Sequence, residues 1–132
     1  MGAEAFQTST KAESFREAVD KATADALYWH GHGGYTGTIA EKDGAVEYEI
    51  PWDALDVDEK TPSWDAINVI EQACMGQLPY GSEKDQQLAA ALVEAMGLEF
   101  IKMAKTYDEK WGPAVGFKMP NGEYGFCGWA SS

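Results

Sequence analysis

The stretch that decides the fold is AVGFKMPNGEYGFCGW, residues 114–129. Its Asn121-Gly122 dipeptide is typical of two-residue β-hairpin turns, because Asn and Gly adopt positive φ angles at low cost. Apolar segments flank this dipeptide, at residues 114–119 before it and 123–129 after it. The sequence therefore predicts a C-terminal β-hairpin.

The N-terminal third predicts one helix followed by a second hairpin. The tetrapeptide TKAE at 10–13 has the S/T-x-x-E form of a capping box, and apolar residues then recur at helical spacing. We therefore predict a first helix over residues 11–29. Residues 35–40 are β-branched and aromatic, and residues 46–50 alternate apolar with acidic side chains. The tripeptide KDG between them has the composition of a hairpin turn.

The middle of the chain predicts two further helices. A Thr-Pro pair at 61–62 starts the second helix, which Gly76 ends, and residues 82–85 start the third. Gly97 lies inside this third helix and weakens it by about 1 kcal/mol relative to alanine, unless a neighbouring backbone approaches it closely. We expect one α+β domain over residues 1–132, in which a single antiparallel sheet of about four strands is covered by three helices.

Charge is the most unusual bulk property of the chain. Its 132 residues include 22 Asp and Glu but 10 Lys and Arg, which gives a formal net charge of −12. Binding to a nucleic-acid backbone needs a basic face, and the sequence has no cluster of Lys or Arg to build one. No run approaches the ~20 apolar residues of a membrane span. We therefore expect a protein that binds neither a nucleic-acid backbone nor a membrane.

The acidic residues are concentrated between residues 41 and 59, where Lys42 is the one base. One interpretation is a solvated face that keeps the protein soluble. The other is an acidic surface that docks on a basic partner, either a protein or a nucleic-acid-binding groove whose ligand it imitates. The candidate partner-binding residues are Glu47, Glu49, Asp53, Asp56, Asp58 and Glu59.

A second candidate site is the glycine- and histidine-rich segment at residues 30–42. Its two histidines could reach one metal ion, but the sequence brings no further ligand close, so we predict no metal site. Its glycines could present amides to a phosphate, although they follow a predicted helix, whereas phosphate-binding glycines usually precede one. The segment is either a helix-to-strand corner or a small-nucleotide site. The candidate ligand-binding residues are His30, His32, Gly33, Gly34, Tyr35, Thr36 and Lys42.

The sequence does not predict catalysis. Neither Cys74 nor Cys127 lies at a predicted helix N-terminus or beside a histidine, and no G-x-S-x-G motif is present. Both cysteines have the pattern of small buried hydrophobic residues. We therefore favour a non-enzymatic protein, with no catalytic residue and no cofactor.

Two segments carry a resemblance: HGHGGYTGTIAEKDG at 30–44 and KWGPAVGFKMPNGEYGFCGWASS at 110–132. In them the chain resembles small proteins encoded by bacterial viruses and prophages, in which GYTGTIAEK and a terminal GWASS-like segment recur. The resemblance implies an accessory protein in the host cytoplasm that acts by binding, and we expect it to inhibit or redirect a host defence protein. The alternatives are a nucleotide-signal sponge or small nucleotide-binding enzyme that uses residues 30–42, and a virion or assembly component. The oligomeric state stays open.

Overall fold

A computed structural model describes residues 3–30, 38–42, 44–55, 57–75, 83–109 and 111–131. The helices in this part of the chain are α1 (Phe15–His30), α2 (Ser63–Met75), α3 (Glu83–Met96) and α4 (Leu98–Asp108). The strands are β1 (Ala3–Thr10), β2 (Ala45–Glu47), β3 (Ala114–Lys118) and β4 (Tyr124–Ser131). Short 3-10 helices lie at Ile39–Glu41 and Trp52–Leu55. The predicted α+β fold with a single four-stranded sheet is confirmed.

The sheet is mixed, whereas the sequence predicted an antiparallel one. Its strand order is β1-β4-β3-β2; β4 pairs antiparallel with both β1 and β3, but β2 pairs parallel with β3. Parallel strands need a long crossover connection. Helices α2, α3 and α4 all lie between β2 and β3 in the chain and supply that crossover.

The C-terminal hairpin is confirmed. The Met119 amide donates to the Glu123 carbonyl at 2.8 Å, and the Gly122 amide donates to the Met119 carbonyl at 3.0 Å. Gly122 has a φ of 90°, which a glycine adopts without a Cβ clash. The side chains of Ser63, Asn121 and Glu123 are hydrogen-bonded together, which ties this turn to the start of α2.

The predicted start of the first helix was wrong by four residues. Thr10 is the last residue of β1, where it pairs with Tyr124, and it caps no helix. The cap is Ser14, whose Oγ accepts a hydrogen bond from the Glu17 amide at 3.2 Å. Residues 14–17 repeat the S/T-x-x-E form, so two consecutive capping signals competed and the downstream one prevailed. The preceding residues are thereby free to form β1, which the sequence did not predict.

The predicted hairpin over residues 35–50 is wrong in the described residues of its first strand and in its pairing, although part of its second strand is present as β2, which pairs with β3. Residues 39–41 form a 3-10 helix, in which Thr38 Oγ1 accepts a hydrogen bond from the Ala40 amide at 3.3 Å. Ile39 is buried at 3% exposure against the α1 side of the sheet. Its β-branched side chain therefore packs in the core from a capped turn and does not belong to a strand. Residues 35–37 and 43 lie outside the described part of the chain.

The predicted third helix is two helices, because the chain changes direction at Gly97. This residue has φ 58° and ψ −124°, a backbone conformation that L-residues rarely adopt. No heavy atom lies within 4 Å of the position that a Cβ would take. Backbone conformation, and not the close approach of a neighbour, therefore explains the glycine.

The sheet is covered by helices on both faces. On one face, Phe15 and Ala18 of α1 pack on Phe126, and the Phe15 and Phe126 ring centroids are 5.7 Å apart. On the other face, α2 and α4 pack on the sheet and α3 packs on these two helices, in a larger core that includes Val115 and Phe117. Of the helices in the described residues, none is both long and apolar enough to cross a membrane.

The acidic loop as candidate binding site

The acidic segment that follows β2 alternates buried apolar residues with exposed acids. We call residues 47–60 the acidic loop. Its buried residues belong to the larger core and are Tyr48, Ile50, Trp52, Leu55 and Val57, none more than 9% exposed. Its exposed acids are Glu47, Glu49, Asp53, Asp58 and Glu59. Buried anchors therefore hold these carboxylates at defined places on the surface.

Hydrogen bonds fix the loop further. The Tyr48 amide donates to the Gly116 carbonyl at 2.8 Å, which continues the β2–β3 pairing by one residue. The Tyr48 hydroxyl lies 2.6 Å from Thr106 Oγ1 on α4. The indole nitrogen of Trp52 donates to the Lys118 carbonyl at 2.8 Å, and its ring packs on Phe117 with centroids 6.1 Å apart. The loop is thus attached to both the sheet and α4.

A groove of about 930 Å³ lies between the acidic loop and the junction of α3 with α4. We call it the main groove. Its acidic lining residues are Glu49, Asp53, Asp58, Glu59 and Glu99, and its apolar ones include Ile50, Trp52, Val57, Met96 and Pro120. The described lining contains five carboxylates and one ammonium group, that of Lys60. One of the five, Glu99, forms an exposed ion pair with Lys102 at 3.1 Å. The groove therefore combines an apolar floor with an acidic rim.

Two smaller depressions adjoin the main groove. An edge groove of about 550 Å³ shares Glu49, Ile50 and Trp52 with it and extends to Glu47, the last residue of β2, and to Lys118 of β3. Another depression, of about 490 Å³, shares Val57, Asp58 and Lys60 with it and extends towards α2. The acidic loop therefore borders a continuous concave surface. Of the predicted partner-binding residues, Asp56 lies outside the described residues and the other five line this surface.

Most of the predicted small-ligand segment lies outside the described residues, including His32, Gly33, Gly34, Tyr35 and Thr36. His30 ends α1, and its side chain is not described. The Lys42 ammonium donates to the main-chain carbonyl of Glu109 and, at 2.7 Å, to that of Trp129. Burial lowers the pKa of Lys42, and the nearby Glu109 carboxylate partly offsets this. Lys42 thus holds its loop against β4 and the end of α4.

A depression of about 210 Å³ lies beside this segment, between α1 and β1. Among its described lining residues are Phe6, Ala26, Trp29 and Ile39, and its charged one is Asp25. A phosphate would need a donor or a cation there. The described lining supplies the polar side chains of Gln7, Thr8 and Thr38 but no cation, and the nucleotide site stays a prediction.

A buried polar cluster lies in the core under α2, and the sequence reasoning missed it. Glu71 is 6% exposed and Gln72 is 2% exposed. Within the described residues, Oε1 of each side chain has no hydrogen-bond partner. Burial raises the pKa of Glu71, while hydrogen bonds from Tyr107 and Gln7 act in the opposite direction. Glu71 follows Ile67 by four residues on the apolar stripe of α2, and that position was the signal that could have revealed it.

Both cysteines are free thiols in the same region. Burial raises the pKa of Cys74 to about 12, with further contributions from the charges of Asp108 and Glu71. Burial also raises the pKa of Cys127 well above its ordinary value. Because the thiolate is the reactive form, these thiols are poor nucleophiles and poor metal ligands. Consistently, no group of three or more His, Cys, Asp or Glu in the described part of the chain is arranged to hold a metal ion.

Comparison with known proteins assigns the chain to no family. No protein-family model matches the sequence, no curated protein is detectably similar to it, and no solved structure matches its fold. These comparisons therefore supply no function.

Proposed function

We propose that this protein is a non-enzymatic binding protein whose acidic loop docks a basic segment of a partner protein. The observation that carries the proposal is the main groove, where an apolar floor lies inside a rim of five carboxylates. A solvated face that served solubility alone would need neither the groove nor the buried anchors beneath its acids.

The physical roles of rim and floor differ. Fixed like charges attract a basic segment and raise its association rate, and they discriminate against acidic partners. Affinity in protein interfaces comes mostly from apolar or arginine anchors seated in desolvated pockets. The partly exposed Met96 and Pro120 offer apolar surface of this kind, above the buried Ile50 and Trp52. We therefore expect the partner segment to carry lysine or arginine together with at least one apolar side chain.

The biological setting of the proposal comes from the sequence resemblance to phage-encoded proteins. In that setting the partner is a host protein, and the acidic loop inhibits or redirects it by covering a basic surface. A defence protein of the host is the partner class that we favour. The virion or assembly role stays an alternative prediction, which co-purification of the protein with phage particles would support.

A charge-matched pair of variants tests the proposal. The groove variant carries Asp53→Asn, Asp58→Asn and Glu59→Gln, which are exposed positions of the acidic loop. The control carries Glu17→Gln, Asp20→Asn and Asp25→Asn, which are exposed positions of α1. Both variants lose three negative charges. The probe is a fluorescein-labelled peptide of alternating lysine and valine, and the readout is fluorescence anisotropy.

We expect the groove variant to bind the peptide about tenfold more weakly, since each exposed charge pair contributes up to about 1 kcal/mol. The control should bind within about twofold of the parent, because α1 is remote from the grooves. Equal weakening by both variants would show that net charge alone attracts the peptide, and would contradict the proposal. A pull-down from host lysate with the same proteins, followed by cross-linking, extends the test to the natural partner.

A further inference from the structure

The strand β2 lies at one end of the sheet, and its outer side has no strand partner in the described residues. On its inner side, the Gly44 carbonyl accepts from the Ala114 amide at 2.9 Å, and the Tyr48 amide donates to the Gly116 carbonyl at 2.8 Å. In a parallel pair, alternate residues direct both main-chain groups to the neighbouring strand. The main-chain N–H and C=O groups of Val46 therefore point to β3, whereas those of Ala45 and Glu47 point outward.

This outer edge is accessible. Val46 is 40% exposed and Glu47 is exposed. No hydrogen bond within the described part of the chain uses the outward main-chain groups of Ala45 or Glu47. Unpaired edges of this kind are templates for another strand, and proteins blunt them with short edge strands, charged side chains, proline or a bulge. β2 is three residues long and carries the charge of Glu47, but residues 44–48 contain no lysine or proline, and the register of β2 with β3 is continuous.

We propose that the partner's basic segment binds as an extended strand added to the free edge of β2. The inference rests on the proposed function and specifies how the segment is held. Glu47 also lines the edge groove, where Glu49 supplies a second carboxylate and Lys118 of β3 supplies one ammonium group. A segment that pairs with β2 therefore continues along the acidic loop towards the main groove.

Charge selects β2 over the sheet's other edge. Glu47 and Glu49 are both exposed and alternate with buried Tyr48, so they lie on one side of the extended chain. An added strand would place lysine or arginine against them, since cross-strand neighbours of opposite charge stabilise a pair. The other edge strand, β1, contains one acidic residue in its eight, Glu4, and none over residues 5–10. The paired acids Glu47 and Glu49 therefore make β2 the more acidic of the two edges.

Backbone-modified peptides test this mode of binding. The parent probe is the labelled Lys-Val peptide, and two further probes carry N-methyl groups either on every lysine or on every valine. An added strand uses the N–H groups of alternate residues only. We expect one methylated probe to bind about tenfold more weakly or worse, and the other to keep most of the parent's affinity.

The outcomes separate the two proposals. Binding of all three probes with equal affinity would overturn strand addition and leave the acidic groove as a charge-directed site. Failure of the parent probe to bind the protein would overturn the proposed function itself. Equal loss of binding by both methylated probes would also contradict strand addition, because an edge uses one set of amides.

A second arm changes the protein. Glu47→Pro and Glu47→Gln remove the same charge, but only proline removes the outward N–H, and proline is tolerated at strand edges. We expect Glu47→Pro to bind the parent peptide at least about tenfold more weakly than Glu47→Gln. If the proline variant unfolds, amide hydrogen exchange in the unmodified protein still tests the inference. Peptide binding should slow exchange of the Ala45 and Glu47 amides, and unchanged exchange at both would overturn the inference.

Discussion

The hydroxyl of Tyr107 on α4 donates a 3.0 Å hydrogen bond to Oε2 of Glu71 on α2, and both side chains are buried. This pair joins the two helices above β1 and β4, where Tyr107 also packs on Trp129 of β4. It also places an ionisable carboxyl group in the core, with its second oxygen unpartnered among the described residues. Ionisation of Glu71 therefore costs more in the folded state than in the unfolded chain.

The buried carboxyl group predicts a pH-dependent stability. Because burial raises the pKa of Glu71 in the folded state, that state holds the proton more tightly than the unfolded chain. Its contribution to stability is complete below the ordinary glutamate pKa and is lost as the pH rises through the raised value. Glu71→Gln keeps an acceptor for Tyr107 and removes the titration. In urea denaturation, we expect the variant to become more stable relative to the parent as pH rises, by up to about 1.4 kcal/mol per unit. A difference in free energy of unfolding between the variant and the parent that stays constant from about pH 4 to pH 8 would contradict this account.

The thiols should be slow to react. At pH 8 the raised pKa of Cys74, about 12, lowers its thiolate fraction roughly a thousandfold relative to an ordinary thiol. We expect both cysteines to be alkylated at least about a thousandfold more slowly in the folded protein than in the urea-unfolded protein. Mass spectrometry of iodoacetamide-treated samples measures both rates. Folded-state alkylation of Cys74 within about tenfold of the unfolded rate would contradict the burial of this thiol.

Gly97 should resist replacement. An alanine at its φ of 58° is strained, so we expect Gly97→Ala to lower the free energy of unfolding by about 1–3 kcal/mol. The flanking Met96 and Glu99 line the main groove, so the variant should also weaken peptide binding. Glu94→Ala, at an exposed position of α3, serves as the control and should change neither property. Equal stability of the two variants would show that the helix break does not depend on the glycine.

Lys42 should stabilise the fold from a partly buried position. Lys42→Met leaves the Glu109 and Trp129 carbonyls without this donor. We expect the free energy of unfolding to fall by about 1–3 kcal/mol. The control is Lys21→Met, because the Lys21 ammonium donates to the Lys11 carbonyl at an exposed site. Loss of this hydrogen bond should lower the free energy of unfolding by less than about 1 kcal/mol. Thermal denaturation of both variants makes the comparison, and similar losses would contradict the structural role of Lys42.

Local signals in the sequence predicted the parts of the fold that depend on neighbouring residues. The Asn121-Gly122 turn specified its hairpin, and the Thr-Pro pair at 61–62 located the start of α2 within two residues. The acidic loop was visible as a run of charge. Each of these features is determined by residues close together in the chain.

The features that sequence reasoning missed depend on distant residues or on competing local signals. The parallel pairing of β2 with β3 joins residues almost seventy positions apart, such as Ala45 and Ala114. Thr10 offered a capping signal as good as that of Ser14, and the pairing of β1 with β4 decided between them. The grooves arise only when the acidic loop packs against α3 and α4. The charge of the site was therefore predictable, but its shape was not.

The most direct test of the central claim is a titration of the isotope-labelled protein with the Lys-Val peptide, followed by NMR. We predict saturable shifts in the amides of Glu47, Glu49, Asp53 and Asp58, with the α1 residues Asp20 and Asp25 unchanged. Shifts centred on α1, or no saturable shifts at peptide concentrations up to about 1 mM, would contradict a binding site at the acidic loop.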